Sequence, residues 1–235
     1  MKKTILLIGS SGGLGTALTK HFGMQEYNLA LHYLDNPPSE IPANAKTYKA
    51  DIKKEDEIEN MIQQVVKDFG SIDILINNAG ISKSEISWKT SAENWNDTIA
   101  VNLTGPFLAT KHALPYMRDK QFGRIIFMSS IVAQTGFVGA AAYGASKAGL
   151  IGLTKSLAKE ISNKNITVNS IALGYFNAGM INDVPDEMQE ELIDKIPVSK
   201  LGDPSELAAL MDYIISDKAT YLTGQTLNLN GGLYS

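Results

Sequence analysis

The chain has 235 residues, of which 44% are hydrophobic and 20% charged, and its formal net charge is −4. This balance is typical of a soluble globular protein, and the absence of a basic excess argues against a nucleic-acid partner. Because the chain contains no cysteine, disulfides, thiol nucleophiles and cysteine-type zinc sites are excluded. No apolar run approaches the ~18 residues of a membrane helix, so we expect a cytoplasmic protein without a membrane partner. The three histidines, His21, His32 and His112, are far apart in the sequence, and this spacing is more typical of surface or core residues than of metal ligands.

Short apolar runs alternate with helix-length amphipathic stretches along the whole chain. Several runs, including TILLI, IDILI and RIIFM, are apolar throughout or nearly so, which is typical of parallel strands covered by helices on both faces. The alternation predicts an α/β fold with a doubly wound parallel sheet of Rossmann type, and no composition shift divides residues 1–235 into two domains. The predicted strands are Thr4–Ile8, Asn28–Tyr33, Lys46–Ala50, Ile72–Asn77, Arg124–Ser129, Thr167–Ala172 and Thr226–Leu229.

Helix patterns fill the intervals between these strands. The stretch KKEDEIENMIQQVVKDFG has one apolar stripe and ends at Gly70. The stretch DPSELAALMDYII begins like a capping box, with Asp203 at the N-cap. A long helix is predicted over Ala100–Met117. Residues 174–200 mix apolar and acidic side chains, and we expect them to form a mobile lid with a short helix near Asp186–Ile196.

A glycine-rich segment, LLIGSSGGLGTALTKHF, follows the first strand and opens a helix. Gly9 permits a sharp turn, while Gly13 and Gly15 leave room for pyrophosphate and for packing of the helix on the strand. The spacing is G-x-x-x-G-x-G, and no G-K-[ST] follows, which disfavours a nucleotide-hydrolysing phosphate loop. The segment therefore predicts a dinucleotide-binding loop, although a tight turn into a helix would look similar.

Two polar segments lie where a dinucleotide needs them. Asp51 ends the third predicted strand and can accept a hydrogen bond from adenine, while its neighbour Ile52 packs on the ring; a capping or surface role is the alternative. The segment INNAGI places Asn77 and Asn78 after the fourth strand, at the edge of the sheet where ligands bind in such folds. An ordinary polar turn would also explain these residues.

The helix pattern AAAYGASKAGLIGLTKSLAKEI places Tyr143 four residues before Lys147. A phenol has a pKa of about 10 and exchanges protons poorly at neutral pH. An ammonium one helical turn away stabilises the phenolate, so we expect Lys147 to lower the pKa of Tyr143. Small residues surround the pair and permit close approach of a cofactor or of a second helix.

In order along the chain, GSSGGLG, NNAG, VNLTG, YGASK and ITVNSIALG resemble the motifs of short-chain dehydrogenases/reductases. The resemblance covers nearly the whole chain, and within the family it is strongest to the β-ketoacyl-[acyl-carrier-protein] reductase group. It implies catalytic roles for Asn102, Ser130, Tyr143 and Lys147, with Ser129 pointing away from the site. Together with the segments above, it implies that the cofactor-binding residues are Gly9, Ser10, Ser11, Gly13, Leu14, Gly15, Asp51, Ile52, Asn78, Ala79, Gly80, Tyr143, Lys147, Gly174 and Phe176.

Three positions depart from the family pattern. Ile8 and Leu173 replace a threonine and a proline, and Ala178 replaces the threonine that usually bonds the nicotinamide carboxamide. These departures affect the expected substrate more than the expected reaction.

The choice between NAD(H) and NADP(H) is decided near Tyr33, where NAD-preferring enzymes usually have an acidic residue. The positions at which NADP-preferring members often have Arg or Lys hold Leu34 and Gly12. The acidic Asp35 lies just beyond, where it would repel a phosphate if the turn before Pro37 folds back. Because the strand end LHY resembles that of NADP-preferring members, and Ser10, Ser11 and backbone N–H groups can hold a phosphate, NADP(H) is favoured over NAD(H).

The favoured function is NAD(P)H-dependent reduction of 3-oxoacyl thioesters, within fatty acid biosynthesis. The alternatives are a dehydrogenase of a sugar, polyol, steroid or small ketone, and a dinucleotide sensor without turnover. The family also implies a homotetramer. Docking of an acyl carrier protein is left open, since the cations considered for it are scattered: Arg118, Lys120, Arg124 and Lys164.

Overall fold

Seven parallel strands form one sheet in the part of the chain that the computed structural model describes, residues 2–235. The order across the sheet is β3-β2-β1-β4-β5-β6-β7. The chain therefore winds in one direction from β1 to β3 and in the other from β4 to β7, which confirms the predicted doubly wound fold. The strands are β1 (Thr4–Ile8), β2 (Asn28–Tyr33), β3 (Ala45–Lys49), β4 (Ile74–Asn77), β5 (Gly123–Ser130), β6 (Ile166–Leu173) and β7 (Thr226–Leu229).

Eight α-helices connect the strands within these residues, and a π-helical turn, Ala100–Thr104, joins two of them. Two short 3₁₀ segments, Ser162–Lys164 and Gly179–Asp183, precede and follow β6. The α-helices are α1 (Gly13–Gly23), α2 (Glu55–Phe69), α3 (Ala92–Ile99), α4 (Gly105–Lys120), α5 (Val132–Thr135), α6 (Ala141–Ile161), α7 (Asp186–Lys195) and α8 (Pro204–Ile214).

The core lies in two layers, one on each face of the sheet. Alternate side chains of a strand point to opposite faces, so Leu6 and Ile8 join the layer under α2, α4 and α6. Ile5 and Leu7 join the layer that contains α1 and α8. Because both faces are covered, the strands are apolar along their whole length, as the sequence pattern predicts.

The local signals for helix ends are confirmed. Gly70 ends α2 in the left-handed conformation, with φ of 82°. At the start of α8, Asp203 accepts a hydrogen bond from the Ser205 N–H, and Glu206 accepts one from the Asp203 N–H, which forms the predicted capping box.

Some boundaries differ from the sequence prediction. The helix predicted over Ala100–Met117 is continuous with α3, which begins at Ala92, and its residues 100–104 form a π-helical rather than an α-helical turn. The fourth strand begins two residues later than predicted, at Ile74, and the fifth extends through Ser130.

The order of the strands reverses between β1 and β4, where their carboxyl ends open a crevice. In open α/β sheets, ligands bind at such a switch point. The crevice contains the glycine segment after β1 and the NNAG segment after β4. No helix among residues 2–235 combines the length and the apolar character needed to cross a membrane.

Candidate active site

Tyr143, Lys147 and Ser130 come together because α6 packs beside the end of β5. The Lys147 Nζ atom lies 5.6 Å from the centroid of the Tyr143 ring and donates a hydrogen bond of 2.7 Å to the Met128 carbonyl. Ser130 is the last residue of β5, and its hydroxyl accepts from the Val132 N–H. The neighbouring Ser129 instead donates to the Lys147 carbonyl, at 2.9 Å. Ser129 therefore anchors α6, and Ser130 remains beside the Tyr143 phenol.

Lys147 is an ammonium group with little water around it. Its side chain is 3% exposed, and no carboxylate forms an ion pair with it among residues 2–235. Burial lowers the pKa of Lys147 from 10.5 to about 8, because a charged group is disfavoured away from water. The site therefore keeps one positive charge available for an anionic or hydroxyl-bearing ligand.

The pKa of Tyr143 differs from the sequence expectation. Burial raises the pKa of the phenol, the adjacent Ser130 hydroxyl acts in the opposite direction, and the nearby Tyr175 raises it further. The predicted lowering by Lys147 is absent, and the loss of water around the phenol has the largest effect. In this structure Tyr143 is a protonated acid.

Asn102 is held in place by three hydrogen bonds. It lies in the π-helical turn and is fully buried. Its carbonyl accepts from the Ile81 N–H at 2.8 Å, while its amide group donates to the Ile81 carbonyl at 2.8 Å and to the Ser146 hydroxyl at 3.1 Å. π-helical turns inside longer helices are frequent at functional sites.

Ser146 is a member of this cluster that the sequence did not single out. Its hydroxyl also donates to the carbonyl of Tyr143, at 2.7 Å, so it connects Asn102 to the turn of α6 that carries the phenol. A serine among small helix residues resembles a packing residue. The available signal was its position directly before Lys147.

Gly80 brings the NNAG segment against the same cluster. A Cβ atom added there would lie 3.2 Å from the Lys147 Nζ and 3.4 Å from the Asn102 Oδ1. Even the smallest side chain at this position would press on the Lys147 Nζ and contact the Asn102 amide. Gly80 therefore forms one wall of the site, directly against Lys147 and Asn102.

The glycine segment forms a cradle suited to an anion. Gly9 has φ of 82°, and a Cβ on Gly15 would lie 2.1 Å from the Gly9 carbonyl oxygen. No side chain caps the start of α1, whose first turn contains no acidic residue. The first N–H groups of α1, on Gly13 and Leu14, therefore stand at the positive end of the helix dipole, as pyrophosphate requires.

The two serines of this segment are directed at the protein. Ser10 is fully buried and its hydroxyl donates to the His32 carbonyl at 2.8 Å. The Ser11 hydroxyl donates to the Asn36 carbonyl, at 2.7 Å. Ser11 therefore connects the glycine segment to the turn after β2, where the adenosine ribose of a dinucleotide is expected.

The predicted adenine and NNAG residues have mixed roles. One oxygen of Asp51 accepts from the Lys53 N–H at 3.0 Å, and the side chain of Ile52 is buried against Gly105. The Asn78 amide donates to the Gly9 carbonyl at 2.7 Å. Asp51 stays partly exposed at the edge of the crevice. Asn78 acts on the glycine segment itself.

The segment predicted as a lid begins with Gly174, whose missing side chain leaves room for the backbone of Asn230. The side chain of Phe176 is buried in the core and contacts Gly202. Further on, the lid backbone crosses the start of α1: a Cβ on Gly13 would lie 2.2 Å from the Gly179 nitrogen. The lid and the glycine cradle are thus in direct contact.

Comparison with known proteins agrees with this arrangement. Residues 8–234 match the family model described as Enoyl-(Acyl carrier protein) reductase. The chain is 37% identical to the 3-oxoacyl-[acyl-carrier-protein] reductase of Staphylococcus epidermidis over 243 aligned positions, with all of both chains covered. The chain belongs to the short-chain dehydrogenase/reductase family. It is also 39% identical to the acetoacetyl-CoA reductase of Shinella zoogloeoides over 239 positions, which cover 100% of this chain and 99% of that protein.

Members of the short-chain dehydrogenase/reductase family are oxidoreductases that act on C=O and CH–OH groups with a nicotinamide dinucleotide. That cofactor, when bound, supplies or accepts the hydride. The uncapped start of α1 fits its pyrophosphate, and the Lys147 ammonium, which has no carboxylate partner, fits its ribose hydroxyls. The residues present therefore suit the cofactor that the family implies.

The buried ammonium makes a prediction about stability. Lys147→Met keeps an unbranched side chain one atom shorter and removes the buried charge, so we expect the free energy of unfolding at neutral pH to rise by about 1–3 kcal/mol. Because the pKa is lowered in the fold, the unfolded chain binds more protons between about 8 and 10.5. The Lys147 contribution to wild-type stability therefore rises with pH across that window, and Lys147→Met lacks this rise.

Urea unfolding of both proteins at several pH values across this window measures the difference. Lys155→Met, which changes an exposed lysine of the same helix, is the matched control. A stability difference between wild type and Lys147→Met that does not change with pH would contradict the expectation.

Proposed function

We propose that this protein reduces the ketone of 3-oxoacyl thioesters with NADPH. The observation that carries the proposal is the convergence of Ser130, Tyr143 and Lys147 at the cofactor crevice, where a phenol and a serine hydroxyl lie side by side. The names of the full-length relatives, a 3-oxoacyl-[acyl-carrier-protein] reductase and an acetoacetyl-CoA reductase, support the thioester substrate.

Each residue of the cluster has a distinct task in this proposal. Ser130 donates a hydrogen bond to the ketone oxygen and stabilises its developing negative charge. Tyr143 gives that oxygen a proton. The Lys147 ammonium stabilises the phenolate that remains, since opposite charges attract strongly where water is scarce. Asn102 and Ser146 hold the surrounding backbone and polar groups, through which protons return from solvent.

The carrier of the thioester is a second part of the proposal. Coenzyme A and acyl carrier protein present the same thioester, so the site chemistry suits both. Of the four cations considered for carrier docking, Arg124 is fully buried and donates to the Gly123 carbonyl at 2.8 Å. Arg124 therefore cannot contact a carrier protein, and the exposed members of that set are Arg118 and Lys120.

The test is turnover of acetoacetyl-CoA with NADPH, followed as loss of reduced cofactor. Tyr143→Phe should lower kcat by about a hundredfold or more, the range for loss of a general acid, while the dissociation constant for NADPH stays within a few-fold. Tyr27→Phe, a partly exposed tyrosine directly before β2 and away from the crevice, is the control and should keep wild-type turnover.

A second substrate, crotonyl-CoA, tests for enoyl reduction, the activity that the description of the matching family model names. Ketone reduction needs a proton at oxygen, which the Ser130–Tyr143 pair supplies, whereas enoyl reduction needs a proton at carbon. Crotonyl-CoA should therefore not be consumed. Consumption of crotonyl-CoA, or full turnover of acetoacetyl-CoA by Tyr143→Phe, would overturn the proposal.

The preference for NADPH is supported by the rim of the crevice at the end of β2. Tyr33 stands where an acidic residue would repel a 2′-phosphate. The register of β2 and β3 places Lys49 directly beside Tyr33, and Lys49 is exposed. This is a cation that the sequence analysis did not find, because it lies sixteen residues away along the chain. The negative charge of the exposed Asp35 acts against Lys49 by repelling a 2′-phosphate.

Two substitutions should move the cofactor preference in opposite directions. Lys49→Ala should lower the ratio of kcat/KM for NADPH over NADH by about three- to tenfold, since it removes a cation from the phosphate. Asp35→Asn should raise the ratio. Lys46→Ala, at the other end of β3, is the control and should leave it unchanged. A wild-type ratio below one would contradict NADPH as the preferred cofactor.

A homotetramer is supported by two separate exposed surfaces. On one, Phe107 of α4 is 43% exposed, and nothing lies within 4 Å of a Cβ added at Gly152 of α6. On the other, Tyr213 of α8 and Tyr221 before β7 are exposed, and β7 is an edge of the sheet. Exposed apolar patches of this kind mark contact sites. Two such faces per chain suit an assembly with two-fold axes.

Light scattering at micromolar concentration should give the mass of four 25.4 kDa chains. Phe107→Asp places a charge in one contact and should reduce the assembly to dimers, because an unpaired charge is costly to bury. Met24→Asp, an exposed residue beyond α1, should leave the mass unchanged. A monomer mass for the wild type would refute this assembly.

A further inference from the structure

His32 is a buried histidine whose two ring nitrogens are both hydrogen-bonded. It lies near the end of β2 and is 3% exposed. The Nε2 atom lies 2.9 Å from the Ala50 carbonyl oxygen, which can only accept, so Nε2 carries the proton. In that tautomer Nδ1 is an acceptor, and it receives a hydrogen bond of 3.1 Å from the Gly9 N–H. The bond to Ala50 therefore sets the ring so that Nδ1 can accept from Gly9.

The main chain of His32 holds the next residue of the glycine segment. Its carbonyl accepts from the Ser10 N–H at 2.9 Å and from the Ser10 hydroxyl at 2.8 Å. One residue of β2 thus makes three hydrogen bonds to the first two residues after β1. His32 and Ser10 are buried and Gly9 is partly buried, which makes each bond costly to lose.

Gly9 needs such a partner because it turns sharply. Its φ of 82° takes the chain out of the strand direction. On the other side of this residue, the Asn78 amide donates to the Gly9 carbonyl at 2.7 Å. The Gly9 residue is therefore held at its N–H by His32 and at its carbonyl by Asn78. Its orientation fixes where Gly13 and the free N–H groups of α1 stand.

We propose that His32 is a positioning residue of the dinucleotide site: its neutral imidazole holds Gly9, and through Gly9 the phosphate cradle, in the binding conformation. His32 does not touch the cofactor in this role. It preorganises the donors that do, and preorganisation lowers the entropic cost of binding. The proposal depends on the dinucleotide site, and not on which ketone the protein reduces.

The charges around the ring agree with a neutral imidazole. Burial lowers the pKa of His32 below its usual 6.5, while the Ala50 carbonyl and the Asp51 carboxylate act in the opposite direction. Asp51 is the ionisable group whose charge acts on the ring in this structure. At neutral pH His32 therefore keeps the Nδ1 lone pair that Gly9 uses.

Two substitutions separate the two ring contacts. In His32→Asn the side-chain oxygen takes the place of Nδ1 and can still accept from Gly9. In His32→Gln the amide nitrogen takes the place of Nε2 and can still donate to Ala50, but the Gly9 N–H loses its acceptor. Each variant loses one of the two hydrogen bonds, so a general loss of stability affects both.

The measurement is the dissociation constant for NADPH, from titration of the cofactor fluorescence without any ketone. We expect His32→Asn to bind within about threefold of wild type and His32→Gln to bind about tenfold more weakly or worse, the scale of one buried hydrogen bond. Equal affinities in the two variants, whether weak or strong, would overturn the positioning role. Because no ketone is present, failure of the proposed substrate leaves this result unaffected.

A second measurement uses the wild-type protein alone, so it does not depend on the folding of any variant. Nitrogen-15 NMR of the apo protein at neutral pH reports the state of the His32 ring. The proposal expects a neutral ring with the proton on Nε2. A proton on Nδ1, or a charged ring, would overturn it, since neither form can accept from Gly9.

Discussion

The site depends on how closely two stretches of backbone approach each other after β1 and β4. A Cβ on Gly9 would lie 2.7 Å from the Cα of Ala79, which no real side chain tolerates. The chain that leaves β4 therefore crosses directly over the glycine segment. This contact joins the phosphate cradle and the NNAG segment into one unit. Without it the two halves of the crevice would be separate surfaces.

The catalytic cluster follows from the same contact. After crossing Gly9, the NNAG segment continues to Gly80, which lies against Lys147, and to Ile81, whose N–H and carbonyl both bond to Asn102. The cofactor side and the proton-transfer side are thus linked through three residues of backbone, Ala79, Gly80 and Ile81. A short, rigid link of this kind holds reacting groups in register, which is where much of the advantage of an enzyme site arises.

The sequence predicts the parts of this protein that depend on local pattern. The strands β1, β2 and β7 have the predicted bounds, and Gly70 and Asp203 end and begin their helices as expected. The reason is that periodicity, capping and glycine conformation are decided within a few residues. The resemblance to the family then supplied Ser130, Tyr143 and Lys147, which the fold brings together.

The parts that were missed depend on contacts between distant segments. The helix predicted from Ala100 has a π-helical turn around Asn102, whose bonds reach Ile81, twenty-one residues away. Lys49 meets Tyr33 only through the register of two strands. The contact of Ile52 with Gly105 likewise joins segments that are distant in the sequence. The pKa of Tyr143 depends on water excluded by the whole fold, which spacing along a helix cannot reveal.

The π-helical turn has a consequence for how this chain can vary in length. A π-helical turn accommodates one residue more than an α-helical turn, so α3 and α4 stay in phase although residues 100–104 hold an extra residue. Deleting one residue here would restore a regular α-helical turn and leave the buried faces of α3 and α4 where they are. The wide turn itself would be lost, and with it the placement of Asn102 opposite Ile81. The length of this segment is therefore set by the site and not by the packing of the helices.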